Sequence, residues 1–177
     1  TIRVEHGTDI FGIIDDTIRL TSDKFWIVSN SCKIGPNGVI IIEPGATLKI
    51  EKQISNEGKI FSFGTADSII TIIGPSGVSG GILQATYTNF ESFESVFNSG
   101  VNSSYEYCKF NDINASWVYS TSTLKDCDFS GANYTAYAAV FYMSSVTLES
   151  TNFDKIEARF DYAGGGIMTN CNFSNSS

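Results

Sequence analysis

One ten-residue phrase, Thr123-Leu-Lys-Asp-Cys-Asp-Phe-Ser-Gly-Ala132, recurs along the chain in altered spelling. Its echoes are Ala85-Thr-Tyr-Thr-Asn-Phe90, Tyr105-Glu-Tyr-Cys-Lys-Phe110, Leu148-Glu-Ser-Thr-Asn-Phe153 and Met168-Thr-Asn-Cys-Asn-Phe173. Aligned on the phenylalanine, successive copies are 20, 19, 24 and 20 residues apart. Self-similarity at a period of about 20 to 25 residues marks a stacked, quasi-one-dimensional fold.

The spelling fixes which side chains share a face. Two residues before each phenylalanine stands a small residue, Thr88, Cys108, Cys127, Thr151 or Cys171, and between the two stands a polar one, Asn89, Lys109, Asp128, Asn152 or Asn172. Residues two apart on a strand point the same way, so the small residue and the phenylalanine go inward and the polar residue goes out. Ala85, Tyr105, Leu124, Leu148 and Met168, five before the phenylalanine, are out of phase by one and require a bend before the small residue. Phe93, Ile113, Ala132 and Ile156, three after it, require another. Short strands joined by corners every 20 or so residues predict a coil of a β-solenoid.

The pattern Leu-x-x-Cys-x-Phe-x-x-Ala and its variants resembles the generic repeat of the right-handed parallel β-helix family. The resemblance covers roughly residues 34 to 177. It places a corner three residues before each phenylalanine, where the family favours asparagine; Asn170 matches, while Tyr87, Tyr107, Asp126 and Ser150 do not. Ile42-Glu-Pro-Gly-Ala-Thr-Leu-Lys-Ile50, followed by Gly58-Lys-Ile-Phe-Ser-Phe-Gly-Thr65, is similar to the opening rungs of bacterial surface β-helix proteins. The resemblance implies an all-β, right-handed parallel β-helix. It says little of function, because lyases, hydrolases, tail spikes and adhesins share the fold.

Residues 1–33 do not follow the repeat. Ile10, Ile13, Ile14 and Ile18 fall at helical spacing with Asp9 as a candidate N-cap, although the β-branched content equally permits strands. An N-terminal cap is the expected role, since an end rung exposes core and unpaired backbone. From 34 to 177 about seven rungs are expected, an axis of roughly 34 Å. Pro44-Gly45 suits the centre of a type II turn. Gly38, Gly58, Gly81 and Gly100 run in register with the phenylalanines, and Asn37-Gly38 and Glu57-Gly58 supply corners. The chain stops inside a repeat, so a longer solenoid or a covering chain is expected at that end.

The formal charge of −8 and the presence of only three arginines argue against a nucleic-acid partner and disfavour electrostatic capture of acidic polysaccharide. No apolar run is long enough to span a bilayer, and Thr1-Ile-Arg-Val does not open a signal peptide. Low lysine content and the family resemblance lean towards an extracellular or cell-surface setting. Cys108, Cys127 and Cys171 share one inward column and are expected as buried free thiols, because side chains parallel on adjacent rungs would strain a disulfide. Cys32 has no evident partner. The one histidine, His6, and the absence of ligand spacing predict no metal site, and no cofactor is expected.

The longest unit carries about four extra residues within 131–145, where insertions go to loops and loops carry function. Tyr134, Tyr137 and Tyr142 there form a candidate aromatic platform for a sugar face, against the plainer reading as core cover and surface tyrosines. A catalytic site is less legible. Glu106, Lys125 and Glu149 alternate in sign on successive rungs, as a solvated charge ladder does. Asp128 is the lone carboxylate of its column, and Arg159-Phe-Asp161-Tyr162 is the sole arginine cluster within the repeats. Five Asn-x-Ser/Thr sequons are what Asn- and Ser-rich turns produce by chance. The expected function is a non-enzymatic module for adhesion or glycan binding. The alternatives are a polysaccharide-degrading enzyme or tail-spike-like domain, and a plain structural spacer.

Overall fold

The computed structural model describes residues 7–93, 96–99, 102–131, 138–142, 144–161 and 165–175. The repeat folds as a parallel β-solenoid, and the described residues contain strand and turn but no helix. Among the described residues, twenty-five strands, from Thr8–Asp9 to Asn172–Ser174, fall in rotation on three faces. The first face is one nine-stranded sheet and the third is one eight-stranded sheet. The second is two four-stranded sheets, one ending at Val78–Ser79 and the other starting at Val96–Ser99. From residue 34 onward the third face receives seven strands, Val39–Ile42 through Gly165–Thr169, the number of rungs expected.

Ladder register puts identical repeat positions opposite one another. Phe90, Phe110, Phe129, Phe153 and Phe173 are direct partners on the first face. Their rings stack along the axis at 4.9, 4.4, 4.7 and 4.8 Å. Trp117, Phe141 and Phe160 form a second stack from the second face at 4.8 and 5.1 Å. Each such pair adds about 0.5–1.5 kcal/mol to its area burial. Earlier coils fill the same interior with Leu48, Ile72, Ile40, Ile60 and Ile54. The space left among these side chains and Phe90 and Phe93 is about 10 Å³ and lined by apolar groups, so a water there would find no side chain to bond.

From Tyr87 onward, corners of the first face turn through left-handed backbone. Tyr87, Tyr107, Asp126, Ser150 and Asn170 enter it with φ between 44° and 54°, and Ser92, Asp112, Lys155 and Asn175 leave it with φ between 49° and 60°. The coil stack offsets the cost of this backbone. The amide of Tyr87 donates to the Glu106 carbonyl at 3.1 Å, Tyr107 to Lys125 at 3.1 Å and Asp126 to Glu149 at 2.9 Å, each on the next coil. The small residue after the corner clips it shut. Thr88, Cys108, Cys127, Thr151 and Cys171 each donate to the carbonyl two residues back, at 3.0, 3.4, 3.3, 3.1 and 3.5 Å. Threonine and cysteine alternate in this column because both are compact and both carry a donor. All four cysteines are free thiols; Cys32, Cys108 and Cys127 are buried and Cys171 is partly so. The Cys127 thiol is pushed up by its hydrogen bond with Cys108 and then by burial, which keeps it protonated and inert.

The stretch holding Ile10, Ile13, Ile14 and Ile18, where helical spacing and strand propensity competed, forms short strands. Thr8–Asp9, Gly12–Ile14, Thr17–Leu20, Phe25–Val28 and Cys32–Ile34 join the three faces in the same rotation. Isoleucine clusters serve either period, and parallel pairing to coils already in place decides for strand. The Pro44-Gly45 turn is as expected: Gly45 has φ 78°, and the Ala46 amide donates to the Glu43 carbonyl at 3.0 Å. Gly38 marks a close approach, since a Cβ there would lie 2.0 Å from the Ile14 carbonyl oxygen of the preceding coil.

Candidate functional site

The corner between the third and first faces holds Tyr87, Tyr107, Asp126, Ser150 and Asn170 on successive coils. Asparagine suits left-handed backbone because its short amide bonds locally, whereas for other residues that conformation costs about 1–2 kcal/mol. Tyr87 and Tyr107 occupy it on consecutive coils, with φ 44° and 54°. Strand Ile82–Thr86 delivers the first and Asn102–Glu106 the second. Their rings stack at 4.8 Å and 17°. Tyr87 is half-buried and Tyr107 is 43% exposed. On the next coil the same corner holds Asp126, so the aromatic ladder ends in a step down.

That step opens a groove of about 280 Å³ along the first face. Ile69 borders it at one end and Asp126 with Asp128 at the other, with Asn89 and Lys109 projecting beside the two rings. Asn89, Lys109 and Asp128 are register partners on three successive strands, all outward as the alternation predicts. Asp128 accepts from Asn152 Nδ2 at 2.8 Å. Ring surface beside amide, ammonium and carboxylate groups is what a sugar needs: apolar C–H faces to cover and hydroxyls to bond.

Other candidates are placed as follows. Tyr134 and Tyr137 lie outside the described residues. Tyr142 ends strand Ala138–Tyr142 on the second face and is half-buried, meeting Tyr119 edge-on at 6.1 Å. Tyr119 is 60% exposed at another left-handed corner, φ 51°. Glu106 and Lys125 pair at 3.5 Å on the third face. Glu106 first, then Glu149, holds the Lys125 ammonium above its ordinary range. Both side chains are well exposed, so the ladder is solvated and contributes little to stability. Arg159 is engaged by Asp161 at 3.0 Å and Glu157 at 3.7 Å. Among the described residues no three His, Cys, Asp or Glu side chains converge as a metal site, and no helix is long and apolar enough to cross a membrane.

Sequence reasoning singled out the insertion and passed over Tyr87 and Tyr107, although it marked both as misfits to the corner. The misfit was the signal: a bulky ring where a small polar residue suffices. No family model, curated protein or solved structure matches this chain.

Proposed function

We propose that this solenoid is a non-enzymatic binding module of the cell surface or extracellular space, and that it takes a neutral glycan in the groove beside Tyr87 and Tyr107. One observation carries the reading: two stacked tyrosines held in left-handed backbone at the edge of a polar groove. The fold itself does not require them, since Asn170 makes the same turn with φ 54°. A uronate polymer would meet Asp126 and Asp128 with Lys109 alone to offset them, so an uncharged chain suits the site better.

Native electrophoresis in gels cast with dextran, galactomannan, xyloglucan, alginate or polygalacturonate tests this. A neutral polymer should retard the wild-type chain and not Tyr107→Asn, a substitution that keeps the corner geometry. Tyr142→Ala should be retarded as wild type; loss there instead would move the site to the Tyr119–Tyr142 corner and the insertion. Progressive shortening of the polymer would replace the module with the polysaccharide-degrading alternative. Retardation by none of the five would sink the glycan reading and leave protein adhesion or a spacer.

A further inference from the structure

A second groove, of about 270 Å³, lies on the third face, on the other side of the tyrosine ridge. Phe63 forms its apolar wall, 45% exposed and stacked on Phe61 at 5.4 Å and 20°. Gln84, Ser104 and Thr123, partners on three successive coils, present an amide and two hydroxyls outward. Among the described residues that line it, the charged ones are Glu106 and Lys125, an ion pair at 3.5 Å. An aromatic wall, a row of neutral hydrogen-bonding groups and no unpaired charge describe a site for a polyhydroxylated, uncharged ring.

The two grooves are joined by chain geometry. Phe63 pairs in register with Thr86, which lines the second groove, and the next residue is Tyr87 of the ridge. Asn89 of the first groove lies three positions after Thr86, a reach of at most about 10–11 Å along the backbone. We propose that the third-face groove is a second sugar subsite, and that a neutral oligosaccharide lies across the Tyr87–Tyr107 ridge to occupy both grooves. This rests on the first groove being a glycan site and adds the direction in which the glycan runs: around the coil, not along the solenoid axis.

Linking two weak subsites through one ligand makes affinity depend on chain length. Calorimetric titration should use the two-unit and six-unit members of the cello-, malto-, manno- and xylo-oligosaccharides, on wild type, Phe63→Ala and Tyr107→Asn, each checked for an unchanged far-ultraviolet spectrum. In the series that binds, the hexamer should bind at least about tenfold more tightly than the dimer. Phe63→Ala should bring the hexamer down to the dimer's affinity while leaving the dimer unchanged, and Tyr107→Asn should weaken both. Equal affinities for dimer and hexamer, or a hexamer indifferent to Phe63→Ala, would overturn the second subsite and leave the first groove standing. Absence of binding in all four series would overturn both.

Discussion

At the scale of single residues, the column of Thr88, Cys108, Cys127, Thr151 and Cys171 shows how one position answers two demands. The side chain must be small enough to lie between stacked coils, and it must donate to the carbonyl two residues back. Cysteine here is a compact donor. Cys127→Thr should therefore stay within about 1 kcal/mol of wild type, because the hydroxyl restores the clip. Cys127→Ala keeps the size class but removes the donor, and should cost about 0.5–1.5 kcal/mol. Urea midpoints of the two variants check this; an alanine variant as stable as the threonine one would show that the clip contributes nothing.

At the scale of elements, the last five strands of the first face, from Thr88–Glu91 to Asn172–Ser174, each contribute one ring to a continuous stack, so no ring is packed by its own coil alone. Phe129 lies 4.4 Å from Phe110 and 4.7 Å from Phe153, and is 1% exposed. Its removal opens a void that parallel strands, pinned by ladder bonds on both sides, cannot collapse to fill. Phe129→Ala should cost about 3–5 kcal/mol, whereas Phe129→Leu should cost markedly less because most of the volume is kept. Thermal and denaturant unfolding of the pair would decide; equal losses would mean that ring stacking, not volume, dominates.

For the whole molecule, stability is a sum over neighbouring coils, and the weakest junction sets where it opens. The first and third faces run through as unbroken sheets, but the second is interrupted between Val78–Ser79 and Val96–Ser99. At the same level the interior passes from aliphatic to aromatic filling, Ile72 facing Phe90 in the ladder. Among the described residues, sheet pairing crosses that junction on the first and third faces and not on the second. Hydrogen exchange in rising denaturant should show amides of 12–63 and of 102–161 protected as two separate units. A single exchange isotherm across both spans would mean that the two continuous sheets couple them fully.

The repeat by itself determined the architecture. A period near 20 residues and a two-residue alternation inside it dictate short parallel strands, an inward phenylalanine column and outward Asn89, Lys109 and Asp128, because neither property depends on distant context. Corner positions were legible too, from residues falling out of phase. What only the tertiary structure decided were matters of adjacency across coils. The spacing of Ile10, Ile13, Ile14 and Ile18 was ambiguous until pairing made the stretch strand. Tyr87 and Tyr107 are 20 residues apart in the chain and read as two isolated misfits; stacking the coils brings their rings to 4.8 Å and leaves Asp126 as the step beside them. A groove is a difference in side-chain height between neighbouring coils, and that difference exists only once the register is set.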